Sequence, residues 1–76
     1  MYKREKAESE YLKKLGKRIK TIRKEKGIKQ VDLGYSCDIE KQSMSRIEAG
    51  NTNPSILILR KICIHLEISL TDLLDF

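Results

Sequence analysis

The sequence is short of the residues from which catalytic and metal centres are built. Its 76 residues include one histidine, His65, and two cysteines, Cys37 and Cys63. No C-x-x-C pair occurs, and ligands scattered in this way do not close a zinc site. There is no Ser/His/Asp or Cys/His set, no paired-carboxylate motif and no glycine-rich phosphate loop. A chain of this length makes one small domain, near the lower limit of what a single core stabilises unaided. A buried substrate pocket is hard to fit inside it. The expectation is a non-enzyme that needs no cofactor and no metal. No apolar run approaches the roughly 20 residues that span a bilayer. The stretch Met1–Glu10 is charged and polar and lacks the apolar segment of a secretory signal. The expectation is therefore a soluble cytoplasmic protein without a membrane partner. Strand signals, internal repeats and low-complexity tracts are also missing.

What the sequence does have is charge, unevenly placed. Residues 1–27 carry eleven Lys or Arg against four Glu, whereas residues 28–76 carry five against seven Asp or Glu. A basic concentration of this kind attracts polyanions such as nucleic acid, anionic lipid or an acidic partner. On charge alone a solvated helix face is the favoured reading.

Apolar periodicity supplies the elements. Leu12, Leu15, Ile19 and Ile22 recur at spacings of three and four, one stripe on a helix. Lys13, Lys14, Lys17, Arg18, Lys20 and Lys24 cover its other faces. Gly27 after a Lys-rich last turn marks a helix end. The first helix is expected at about 9–26, with residues 1–8 frayed or extending it. Residues 1–11 read as a charged extension and 12–76 as the domain. Short helices fit 30–36 and 41–49, separated by the turn Cys37-Asp38-Ile39-Glu40. Gly50-Asn51-Thr52-Asn53-Pro54 is the clearest loop in the chain. Ser55 caps a fourth helix running to about Leu66. Ser69 with Asp72 three residues on opens a last short helix at 70–75. The fold class is all-α, with five helices.

The second and third helices form a twenty-residue unit from Gln30 to Ala49. Leu33, Cys37, Ile39, Met44 and Ile47 take its inward positions, and Gly34 is small where two helices cross closely. This is the spacing of a DNA-binding helix-turn-helix. The turn position that usually holds Gly is Asp38, one of the few other residues that tolerate positive φ. The surrounding residues extend the pattern. They are Leu15-Gly16-Lys17-Arg18-Ile19, Arg23-Lys24-Glu25-Lys26-Gly27, Gln30 with Leu33, Ser45-Arg46-Ile47-Glu48-Ala49-Gly50, Asn53-Pro54-Ser55, and Ile68-Ser69-Leu70 with Leu73-Leu74. Residues 15–74 thus resemble the Cro/C1-type, or Xre-family, helix-turn-helix domain of phage repressors and small bacterial regulators. The resemblance implies a compact five-helix, lambda-repressor-like fold.

The third helix fits a recognition helix. At 100° per residue, Met44, Ile47 and Glu48 share one side, and Gln42, Ser45, Arg46 and Ala49 the other. Gln can read adenine through two hydrogen bonds, while Arg and Lys can read guanine. Lys41, Gln42, Ser45 and Arg46 are the candidate base contacts, with ordinary surface residues as the alternative. The resemblance implies that Gln30 bonds a phosphate at the start of the second helix, where free N–H groups favour anions. Ser43, Asn51, Thr52 and Asn53 are candidates for the same role, although turn chemistry alone also explains the loop. The resemblance further implies an Arg23–Glu48 ion pair that orients the third helix. Glu40, where Ser, Thr or Asp usually caps, suits the helix dipole but repels a nearby phosphate.

Cys37 and Cys63 fit buried small hydrophobes, with a redox or metal role as the alternative. His65 fits a surface or interface position. In the fourth helix Ile56, Leu59, Ile62, Cys63 and Leu66 already supply an inward stripe, which leaves Leu57, Ile58 and Ile64 over. Leu57 and Ile64, with Leu70, Leu74 and Phe76, form the candidate homodimer interface. Alternatively these side chains pack against residues 1–11, where Tyr2 and Tyr11 could cover them. The function these readings imply is a sequence-specific transcriptional regulator, a repressor that binds a palindromic operator in double-stranded DNA as a homodimer. The alternative is an antitoxin-type or other protein-interaction module that also binds DNA, its partner a toxin or another regulator. The expectation is that no sensor domain follows residue 76, so that any inducer would act on this domain or through a partner.

Overall fold

The computed structural model describes residues 5–76, and these form five α-helices and no strand. The first, α1, spans Lys6–Glu25. It begins three residues before the expected start. The Glu5 N–H donates to the Glu8 carboxylate at 3.0 Å, so an acidic first turn satisfies a donor that would otherwise fray. Lys6 to Tyr11 are thus its opening turns. The helix ends as Gly27 adopts φ 70° and the Ile28 N–H bonds the Arg23 carbonyl at 3.0 Å.

The next helices are α2 (Gln30–Ser36) and α3 (Lys41–Ala49). Between them Asp38 takes φ 58°, the left-handed conformation its position demands, and the Ile39 N–H bonds the Gly34 carbonyl at 2.8 Å. α4 spans Ile56–Leu66, with Ser55 Oγ accepting from the Ile58 N–H at 3.2 Å. α5 spans Leu70–Leu73, shorter than the expected 70–75, and Ser69 Oγ accepts from the Asp72 N–H at 3.0 Å. Arg18 Nη2 donates to the Asp72 carbonyl at 2.9 Å, which fastens α5 to α1.

All five helices contribute to one core. Leu15, Ile19 and Ile22 of α1 meet Leu33 and Cys37, Met44 and Ile47, Leu59, Ile62, Cys63 and Leu66, and Leu73. Two features seat α3 on α1. A Cβ at Gly16 would collide with the carbonyl oxygens of Ile47 and Glu48, so the helices cross backbone to backbone there. Gly50 closes α3 at φ 77°, and a Cβ on it would lie 2.6 Å from Lys13 Cα. A side chain at either glycine would push α3 off its seat.

The stripe of α4 needs correction. Ile56 is 60% exposed, whereas Ile58 is half-buried and shares a depression with Ile39 and Ile47. Ile56 is the first residue of the helix, before any neighbouring element covers it. Leu70 and Leu74, expected at an interface, are partly buried against the core. The large apolar side chains left exposed in this half are Ile56, Leu57, Ile64 and Phe76. Tyr11 does reach Phe76, ring centroids 5.1 Å apart, but Leu57 and Ile64 stay uncovered at 65% and 58% exposure. Tyr2 lies outside the described residues.

Candidate nucleic-acid interface

The two sides of α3 separate as the helical wheel demands. Met44, Ile47 and Glu48 are buried, while Lys41, Gln42, Ser45, Arg46 and Ala49 are exposed. The four candidate base contacts line one shallow depression together with Gln30 from the start of α2. The outward surface is therefore polar and low in relief apart from Lys41 and Arg46. That suits a helix lying in a major groove, where donors and acceptors must approach base edges.

Glu48 is a charge on the buried side, and the fold neutralises it in place. Arg23 Nε donates to Glu48 Oε2 at 2.7 Å and Nη2 to Oε1 at 3.0 Å, a bidentate pair. The two side chains are only 8% and 3% exposed. Arg23 Nη1 donates in addition to the Ile28 carbonyl at 2.8 Å. Gln30 Nε2 gives Glu48 Oε1 a further bond at 3.0 Å. Such a fork is directional, so it fixes the rotation of α3 about its own axis as well as its position. Which side chains face outward depends on that rotation. The ion pair implied by the resemblance is present, and it reaches further than expected by holding the end of α1 and the start of α2 as well.

The bond from Gln30 to Glu48 was not foreseen. One of its two amide N–H groups is used inward, which leaves the other and the backbone N–H for an anion. The remaining phosphate candidates gather elsewhere. Ser43, Thr52 and Asn53 line a second depression with Arg46 and Pro54. Asn51 stands apart and exposed, its N–H bonded to the Arg46 carbonyl at 2.9 Å. Polar groups thus flank the exposed face of α3 on two sides, from α2 and from the loop after α3. On α1, Lys13, Lys14, Lys17, Lys20 and Lys24 are all exposed.

The cysteines belong to the core. Cys37 and Cys63 are buried free thiols, and burial pushes both up from the ordinary thiol value, the nearby Lys61 charge offsetting this slightly at Cys37. A protonated thiol is a poor nucleophile and a poor metal ligand. Among the described residues no three His, Cys, Asp or Glu side chains cluster as a metal site would require. His65 is exposed on α4. No helix among the described residues is long and apolar enough to cross a membrane.

Comparison with known proteins agrees with this geometry. A helix-turn-helix family model matches residues 19–73. The chain is 42% identical over 62 residues to SinR of Bacillus subtilis (strain 168), an HTH-type transcriptional regulator, covering 80% of this chain and 56% of SinR. It spans about half the length of the curated relatives it matches. Among solved structures, the clp gene regulator ClgR from Corynebacterium glutamicum superposes with a TM-score of 0.82 at 25% identity, over 84% of this chain and 68% of that one. The restriction-modification controller protein C.AhdI from Aeromonas hydrophila gives 0.79 at 27% identity, over 82% and 94%. The chain belongs to the Cro/C1-type, Xre-family helix-turn-helix proteins.

Proposed function

We propose that the chain is a sequence-specific, double-stranded-DNA-binding transcriptional regulator, a cytoplasmic repressor without enzymatic activity. The observation that carries this reading is the construction of α3. Its buried face is locked by the Arg23–Glu48 fork and the Gly16 crossing, and its exposed face offers Lys41, Gln42, Ser45 and Arg46 to one depression. Lys41, Gln42, Ser45 and Arg46 read base edges, while Gln30, Ser43, Asn51, Thr52 and Asn53 hold phosphates. Two copies, joined through Leu57, Ile64 and Phe76, place two such helices on a palindromic site roughly 34 Å apart, one turn of DNA.

A second reading has its own support. Ile56, Leu57 and Ile64 form exposed apolar surface on one helix, which also suits a different protein, such as a toxin or another regulator, in place of a second copy. A gel shift with the DNA upstream of the chain's own gene tests the first reading. We expect a discrete complex that resists unrelated competitor DNA and weakens steeply with salt, as counterion release requires. Binding that competitor removes equally well would refute sequence-specific recognition.

A further inference from the structure

The helix α4 carries one spacing twice. Leu59, Ile62, Cys63 and Leu66 follow one another at helical intervals and are buried. Leu57, Arg60, Lys61 and Ile64 repeat those intervals on the opposite side, at 100° per residue, and are exposed. The outward side of a surface helix is ordinarily polar throughout. Here Leu57 and Ile64 are apolar, 65% and 58% exposed, and stand about 10 Å apart along the axis. Arg60 and Lys61 lie between them. No Asp or Glu occurs in α4, so neither cation has an acid on its own helix. Among the described residues neither makes an ion pair or a side-chain hydrogen bond. The face is thus two apolar anchors with uncompensated positive charge at its centre.

We propose that this face of α4 docks an acidic amphipathic helix of a second protein, with carboxylates between its apolar anchors, in preference to a second copy of the chain. This rests on the reading of Leu57 and Ile64 as an interface and gives the second protein its chemistry. The choice of occupant follows from symmetry and charge. In a twofold pair one surface serves both copies, so residue i meets j wherever j meets i. An antiparallel pairing of two α4 helices brings Leu57 onto Ile64 twice, and its axis passes between Arg60 and Lys61, midway along the face. A parallel pairing sets each residue against itself. In both, the cations of the two copies meet at the centre of the interface with no acid on either helix. Like charges facing one another disfavour a pairing. A second copy therefore uses the apolar anchors only against that repulsion. A helix with carboxylates at the middle positions makes the same apolar contacts and pairs both cations. Arg60 and Lys61 thus act for one partner and against the other, and a difference of this kind is what specificity consists of.

The probes are two synthetic amphipathic helical peptides, identical except for Glu or Lys at the positions between their apolar anchors. Binding to the whole chain at low salt is followed by amide NMR shifts, and self-association by sedimentation. The Glu peptide is expected to bind roughly tenfold more tightly than the Lys peptide. It should shift the signals of residues 57–64 and convert dimers to one-to-one complexes. R60Q/K61Q is expected to lose the discrimination between peptides and to dimerise more tightly than wild type, since the repulsion is gone. Circular dichroism melts check that these exposed substitutions leave the fold intact. Equal binding of the two peptides, or equal dimerisation of wild type and R60Q/K61Q, overturns the inference while Leu57 and Ile64 remain a dimer interface. If wild type is monomeric and binds neither peptide, the face is no interface and the inference is overturned with that reading. Neither result touches the reading of α3.

Discussion

Removing one partner of the Arg23–Glu48 pair is the most demanding perturbation the structure offers. In Glu48→Ala, Arg23 loses both forked bonds and keeps only the Ile28 carbonyl, while its side chain stays 8% exposed. Gln30 loses its acceptor as well. Breaking a buried pair in this way typically costs about 3–5 kcal/mol. A domain of 76 residues has roughly 4–11 kcal/mol of stability in total, so the variant should sit near the edge of unfolding at 25 °C. Arg23→Met should cost a similar amount, because the Glu48 carboxylate then has only Gln30. The double variant Arg23→Met/Glu48→Leu exchanges the pair for apolar groups of similar size, and such exchanges are often neutral or stabilising. Urea unfolding followed by circular dichroism gives the four free energies of the cycle. The double variant is expected within about 1 kcal/mol of wild type, far from the sum of the singles. Its DNA affinity should nevertheless be reduced, since apolar contact does not impose the rotation that the fork imposes on α3. Single variants that each cost under about 1 kcal/mol would show that the pair is hydrated in solution and that the reasoning is wrong.

Gln42→Ala and Arg46→Ala should each weaken binding to the cognate site by about 1–3 kcal/mol without altering the melt, as both side chains are exposed. Specificity unchanged across operator variants would remove both from the list of base contacts. Asp38→Gly should raise stability by up to about 1 kcal/mol, the relief of φ 58° outweighing the entropy glycine adds to the unfolded chain, and Asp38→Ala should lower it. Equal thermal midpoints for the two would mean that the turn is not strained. Ile64→Glu should shift sedimentation at micromolar concentration from dimer to monomer with the fold intact. A mass that is monomeric in both proteins would leave DNA or a second protein to bring copies together.

The helices were legible where a local rule determines them, and the site was legible only as far as one helix determines it. α2, α3 and α4 are found at the expected positions because each boundary is set by a residue with a local preference. Asp38 and Gly50 accept positive φ, and Ser55 supplies a cap. The ends of α1 and α5 were less legible. The start of α1 depends on the Glu8 carboxylate reaching the Glu5 N–H, and α5 is tied to α1 by Arg18 from 54 residues away. Ile56 and Ile58 exchanged places for a similar reason, because periodicity assigns a face but not which neighbours cover it.

The same division runs through the candidate interface. Sorting α3 into Met44, Ile47 and Glu48 against Gln42, Ser45 and Arg46 needs only 100° per residue, and burial follows that sorting. The bond from Gln30 to Glu48 needs the crossing of three helices, and no spacing in one dimension encodes it. This has a consequence for how sequence acts on recognition. The outward residues of α3 can change with little effect on the fold, because Gln42, Ser45 and Arg46 are exposed and lie outside the buried core. Arg23, Glu48 and Gly16 are constrained by packing, yet they decide the angle at which those outward residues are presented. A substitution at any of the three should therefore alter binding across all sites alike, whereas one at Gln42 or Arg46 should alter binding at particular bases.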